Sequence, residues 1–260
     1  MPAVNKRLFI PHHVTGFWTP VYSESELTTG SIGAGILLGG ALAFYHGDYV
    51  SYNGAMLEVG LGARIASPFP LGYGYAGSAV VSIAKAVAEA GLGIEAFVKA
   101  HVEEVLRGTG LGDVLAIYTG GCLVVRTRPG APGVGEAFSL PCPGIMVVAV
   151  DLRREDTSEM LKMRREAILE AGGEAVRRFM RNPSFESFLE HAYLFSKRVG
   201  FLSGGLADLR RLPGVVGLYA KKGVLLIFVE RDKARDVTEA VRGLGGVHLA
   251  ALGELRVTWV

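Results

Sequence analysis

Cysteine is nearly absent: Cys122 and Cys142 are the only two in 260 residues. Two cysteines so spaced fit neither a disulfide scaffold nor a zinc site, and they point to a reducing, cytoplasmic setting. Long hydrophobic runs are missing as well, and none reaches the roughly 18 residues of a membrane span. The longest candidate, 36–44, is interrupted by Gly39 and Gly40 and reads as a strand. The first seven residues are polar and lead straight into Leu8-Phe9-Ile10, so no secretory signal is expected. There is no excess of one charge: 27 Lys and Arg stand against 25 Asp and Glu. Nucleic-acid binders usually show a basic tract or patch, so that class is set aside along with membrane proteins.

Glycine and apolar residues are what the chain has in plenty. Half of it is hydrophobic, enough for a sizeable core, and its 36 glycines cluster at 30–40, 72–77 and 108–135. One such cluster is most simply a tight turn. Three in one half, beside hydrophobic elements, point to backbone loops that wrap a ligand. Periodicity predicts strands at 8–10, 35–44, 48–53, 122–127, 145–151, 215–219, 224–230, 247–251 and 255–259. It predicts helices at 78–90, 94–107, 185–199 and 237–244, with a charged helical stretch over 152–180. The texture changes after Pro141-Cys142-Pro143-Gly144, which separates a domain of residues 1–144 from one of 145–260. The fold class expected is α+β.

The strongest chemical signal is residues 70–79, Pro-Leu-Gly-Tyr-Gly-Tyr-Ala-Gly-Ser-Ala, running directly into the helix at 78. A helix N-terminus presents unpaired amides and a positive dipole end, and preceding glycines let those amides close on a phosphate. Ser78 is expected at or near the N-cap, where it caps the helix or touches a phosphate-bound metal. Gly72-x-Gly74-x-x-Gly77 also fits a dinucleotide fingerprint, but Pro68 and Pro70 spoil the strand that motif needs. A Walker A loop fails because no lysine precedes Ser78.

Glu104 falls at the margin of the apolar face of its helix, near Phe97 and His101, where a carboxylate needs a partner such as a metal. Glu103 lies opposite, solvated, with Lys99 at i,i+4 as its expected partner. Asp113 follows the glycine-rich 108–112 turn and is either an N-cap or a carboxylate that takes a substrate proton. Arg126 and Arg128 are expected on one strand face, where either guanidinium can grip a carboxylate, while at least one is read as solvated. His12 and His13 are adjacent on a strand, so their side chains diverge and do not share a metal ion.

As an ordered set these segments resemble the GHMP small-molecule kinases, and within them the archaeal pantoate kinase family. The resemblance rests on Pro11 with His13 to Phe17, on Thr29 to Gly35, on the 70–79 loop, on Thr109 to Asp113, and on Gly120-Gly121 through Arg126 to Gly135. It covers most of residues 8–135 and thins after 150, where the family's last glycine motif is reduced to 217–224 and contains Lys221 and Lys222. His12 stands where the family usually has glycine.

The resemblance implies a two-domain fold with mixed sheets and packed helices around an ATP cleft. It implies phosphorylation of pantoate at the expense of ATP and Mg²⁺, within coenzyme A synthesis. It places Gly72, Gly74, Tyr75, Ala76, Gly77, Ser78 and Ala79 around the ATP phosphates, Ser78 and Glu104 on the metal, and Asp113 on the attacking hydroxyl. His13, Thr29, Ser31 and Arg126 are then the candidates for the acid substrate. A different hydroxy acid or sugar as acceptor, and a nucleotide-binding regulator without turnover, are the competing readings. The oligomeric state stays open, a homodimer included.

Overall fold

The structure, a computed structural model, describes residues 7–260 except the side chain of Ser158. Its elements run β1 (Arg7–Val21), β2 (Gly30–Phe44), β3 (Tyr49–Tyr52), β4 (Ala55–Val59), β5 (Ala63–Ala66), α1 (Gly77–Ala90), α2 (Ile94–Arg107) and α3 (Asp113–Thr119). There follow β6 (Leu123–Arg128), β7 (Glu136–Leu140), β8 (Met146–Asp151), α4 (Thr157–Met163), α5 (Arg165–Phe179) and α6 (Phe185–Val199). The chain closes with β9 (Val215–Lys221), β10 (Val224–Val229), α7 (Ala234–Val241), β11 (Gly246–Ala251) and β12 (Thr258–Trp259).

A long antiparallel pair, β1 and β2, forms the spine. Its partners make an eight-stranded mixed sheet ordered β12-β1-β2-β5-β3-β4, with β6 and β7 joining beside the start of β2. The β3–β5 pair is parallel. A second sheet, β11-β8-β10-β9, is antiparallel throughout. The first takes residues 7–140 plus the returning β12, the second residues 146–251, so the chain passes between them near 144.

One face of the spine carries Leu8, Ile10 and Leu37 into a core with α1, α2 and α3. The other carries Phe17 and Trp18 into a larger core with α5, α6 and the second sheet. There Phe17 meets Phe179 and Phe188 at centroid distances of 5.4 and 5.9 Å, and Trp18 meets Phe195 at 4.9 Å. Offset and edge-on aromatic pairs of this kind add to the area they bury. Among the described residues no helix is long and apolar enough to cross a membrane.

Several expectations need correction. Strand β1 runs 15 residues, not three, because bulges at Pro11/His12 and Thr15/Phe17 absorb Pro11 and Gly16 without ending the pairing. The stretch after the 108–112 turn, to which periodicity assigned no element, holds the helix α3. The 152–180 stretch is two helices, interrupted at Arg164. Cys122 and Cys142 are joined in a disulfide, against the expectation that they would not pair. The β6–β7 hairpin folds the chain back, Leu123 opposite Leu140, and sets the two Cα atoms 5.9 Å apart. That lies within the usual disulfide span of about 4.4–6.8 Å, so the cysteines no longer argue for a reducing compartment.

Candidate active site

A cleft of about 690 Å³ opens where the 70–78 loop and α2 face the β9–β10 turn and the start of α4. At its centre α1 begins from Ala76, which sits in the left-handed region (φ 56°), with no side chain capping the helix. Ser78 is therefore the second helical residue, not the cap. The leading amides of a 14-residue helix are thus left to an anion in the cleft. Gly72, Gly74, Ala76, Gly77 and Ser78 line the cleft. Tyr75 and Ala79, expected around the phosphates, are buried and do not line it.

Ser78 and Ser82, one turn apart on α1, meet the carboxylate of Glu104 on α2. Ser78 Oγ donates to Oε2 at 2.9 Å, while Ser82 Oγ and Thr109 Oγ1 donate to Oε1 at 3.2 and 2.8 Å. Burial pushes the Glu104 carboxyl up to about 7, against the pull of those hydroxyls. A hard cation that also touches phosphates asks for such oxygen donors, and Mg²⁺ commonly takes one or two carboxylates with phosphate oxygens. Gly110 packs close against both carboxylates and leaves no room for a side chain between them: a Cβ there would stand 2.6 Å from Glu104 Oε2 and 3.4 Å from Asp113 Oδ2. The residues fit the metal that the sequence implied.

Asp113 is the first residue of α3, with Gly112 as N-cap, so the capping alternative falls away. Its Oδ1 accepts from His13 Nδ1 at 2.6 Å and lies 3.7 Å from Lys221 Nζ. His13 Nε2 faces Arg126 Nη1 at 3.3 Å. One protonation state satisfies both contacts: neutral His13, donating from Nδ1 to Asp113 and accepting at Nε2 from the guanidinium. Burial drives His13 down to about 4, with Asp113 opposing and Arg126 and Lys221 reinforcing. Burial would raise the Asp113 carboxyl, but Lys221, His13 and Arg126 outweigh it and hold it below the carboxylate range. Because His13 is neutral, we attribute that anion chiefly to the two fixed cations. Burial lowers Lys221 and brings Arg126 down to about 10.

Arg126 is fully buried at the cleft wall, its Nε without a protein partner, and Ser31 lies beside it across Gly112. Arg128 parts from it: a bulge between them turns Arg128 to solvent, where it pairs with Glu136. Thr29 sits outside the cleft, its hydroxyl bonded to Ser23 and its carbonyl to His101. Glu103 pairs with Arg107 and Lys85, not with Lys99, which goes to Glu89.

The second half supplies residues for which the sequence suggested no role in the site. Lys222, left-handed at φ 54°, bonds Thr157 at 2.6 Å, and Arg154 packs over Gly72. Burial lowers Lys222 to about 8, with Lys221 adding to the effect. Ser82 could have been found from its i,i+4 spacing to Ser78. The others come from loops far along the chain and carry no local signal.

His12 points the opposite way from His13: its Nδ1 donates to the Tyr75 carbonyl and its Nε2 meets Ser67, each at 2.8 Å. Burial lowers its pKa from 6.5 to about 4, partly offset by the Tyr75 carbonyl. Between those values the unfolded chain binds more protons than the folded one, so stability falls as pH drops through that window. A shift of this size corresponds to about 3 kcal/mol, and His13 adds a similar slope. Urea melts from pH 7.5 to 4 should therefore show a steep acid loss. His12→Asn, whose amide replaces the Nδ1 donor, should remove roughly half of the slope that His12 and His13 contribute together.

No family model matches the chain. It is 30% identical over 239 residues to a pantoate kinase of Thermococcus kodakarensis, covering 79% of each. It is 29% identical over 221 residues to a pantoate kinase of Methanocaldococcus jannaschii, covering 75% of this chain and 81% of the relative. Its fold matches a solved phosphotransferase related to the CoA biosynthesis pathway at a TM-score of 0.82 and 26% identity, over 98% of both chains. A putative homoserine kinase from Listeria monocytogenes, 15% identical over 98% of this chain and 99% of its own, shares the fold at 0.63.

Proposed function

The chain belongs to the pantoate kinase family, in the GHMP-kinase fold, and from that premise we propose how its cleft performs the reaction. The enzyme transfers the terminal phosphoryl group of ATP to pantoate, forming 4-phosphopantoate in coenzyme A biosynthesis. The observation that carries the site reading is the meeting of Ser78, Glu104 and Asp113, from three separate helices, in one cleft at the uncapped start of α1.

The amides opening α1 receive the ATP phosphates, aided by the helix dipole. Ser78 and Glu104 would hold Mg²⁺, with the Ser82 and Thr109 hydroxyls orienting the carboxylate. When bound, Mg²⁺ supplies positive charge that offsets the phosphate oxygens during transfer. Asp113 orients the primary hydroxyl of pantoate. Oδ1 is occupied by His13 and Lys221, so Oδ2 is the atom free to accept the hydroxyl hydrogen bond. The hydroxyl oxygen forms the new P–O bond as the bond to ADP breaks, and Asp113 receives the proton late. That order suits a strongly ionised carboxylate and a loose transition state. Lys221 and Arg126 keep Asp113 charged until that late transfer, and Arg126 with Ser31 meets the pantoate carboxylate. His13 acts through Asp113.

The residues of 1–144 and 145–260 are read as two domains that close this cleft between them. We place the reaction in the cytoplasm; the Cys122–Cys142 disulfide does not by itself exclude that compartment.

The test is ATP turnover with pantoate, pantothenate, mevalonate and galactose as acceptors. Pantoate should stimulate ADP release far above the others, and another acceptor winning would remove the assignment while keeping the kinase fold. Ser78→Ala should cut kcat by about 10²-fold with a melting point close to that of the parent. Unchanged turnover would return Ser78 to a structural partner of Glu104.

A further inference from the structure

Behind the 70–78 loop lies a set of contacts that never reaches the cleft. The Tyr75 side chain is buried, and its hydroxyl donates to Asp151 Oδ1 at 2.7 Å. Asp151 Oδ2 accepts from His248 Nε2 at 2.8 Å. The Tyr75 ring stacks on Phe69 at 4.4 Å, and His248 meets Phe69 edge-on at 5.4 Å. From the other side His12 donates to the Tyr75 carbonyl. One loop residue is thus held by β1 through its backbone and by β8 and β11 through its hydroxyl.

The residue that follows is Ala76, left-handed in a position L side chains rarely occupy, and after it come the amides that open α1. A sparsely populated backbone conformation persists only where its surroundings over-determine it. The contacts on Tyr75 are the determinant closest in the chain. They extend further: past Asp151 the chain runs on to Glu155, whose N–H bonds the Gly72 carbonyl at 3.1 Å, and to Thr157, which holds Lys222. The loop and the second wall of the cleft are tied at both ends of the same short segment.

We propose that Tyr75, Asp151 and His248 form a clamp that sets the phosphate-facing backbone of residues 76–78 and locks it to the second sheet. Tyr75 and Asp151 are positioning residues for ATP, acting through Ala76 and not by contact. This rests on the reading of residues 72–78 as the phosphate cradle. Placement by the clamp concerns the nucleotide and leaves the acid side, built on Arg126 and Ser31, untouched.

Steady-state kinetics of Tyr75→Phe, Asp151→Ala, Asp151→Asn and Gly74→Ala test it, with thermal melts of each. Tyr75→Phe, which removes one hydroxyl, should raise KM for ATP about tenfold with kcat within about twofold and KM for pantoate unchanged. Asp151→Ala should do the same. Asp151→Asn should restore ATP affinity, because its amide oxygen still accepts from Tyr75 and His248 can change tautomer to accept from the amide. Gly74→Ala strains the cradle directly, since φ there is +113° and a Cβ would stand 2.9 Å from the Lys221 carbonyl. An unchanged KM for ATP in Tyr75→Phe, beside a raised one in Gly74→Ala, overturns the clamp alone, whatever the melting point does. No change in either overturns the cradle reading itself.

Discussion

Asp113→Asn should lower kcat by about 10²–10⁴-fold while the dissociation constant of ATP stays within about threefold. Asparagine keeps the shape and an oxygen for the His13 donor, so the buried geometry survives. It removes the negative charge that Lys221 and Arg126 both face. Two buried cations then confront a neutral amide, and Lys221, already lowered by burial, loses its proton more readily. The melting point should fall as well, because breaking a buried charge pair costs about 3–5 kcal/mol when the partner stays charged. Pre-steady-state ATP binding separates these effects from catalysis. Lost ATP binding along with turnover would move Asp113 to the nucleotide or its metal. The pH profile gives a second reading: with Asp113 held below the carboxylate range, no step in kcat between pH 5 and 8 should belong to it, and a step near 7 that persists in Asp113→Asn belongs to Glu104.

Asp113, Ser78 and Glu104 were legible in the sequence for a shared reason: each sits at a position where local pattern constrains direction. Glu104 falls where an apolar helix face meets its edge, so its burial followed from spacing. Ser78 follows glycines that announce a helix start. The expectation erred by two residues at the cap, because Ala76 adopts a left-handed conformation that composition does not reveal.

What the sequence hid depends on partners far along the chain. Arg154 and Thr157 reach the cleft only after the second sheet has folded against the first, and no motif marks them; Lys221 stands in the reduced 217–224 motif, but nothing local announces a cation beside Asp113. The disulfide needed the β6–β7 register, which periodicity over six residues cannot supply. The alternation rule placed Arg126 and Arg128 on one face, and a bulge between them undid it. Pro11 and Gly16 read as breakers, yet a strand with a committed partner along its whole length absorbs both as irregularities.

That bulge is what makes Arg126 informative, since it leaves one guanidinium alone at the buried end of the cleft. Arg126→Lys should lower kcat/KM for pantoate by roughly 10²-fold and change KM for ATP by less than about twofold. Lysine preserves the charge that steadies Asp113. It cannot present two parallel N–H groups to a carboxylate, nor reach His13 from the guanidinium's position. The buried Nε has no partner within the protein, and a carboxylate oxygen would supply one. The same substitution also weakens the His13 contact, so a loss of activity alone would not assign the role. The triol analogue of pantoate, in which the carboxylate is reduced to an alcohol, separates the two effects. Parent and variant should turn it over at similar, low rates, because the group that distinguishes them is gone from the substrate. Convergence on the triol assigns Arg126 to the pantoate carboxylate, and an equal loss on both acceptors confines it to holding His13 and Asp113.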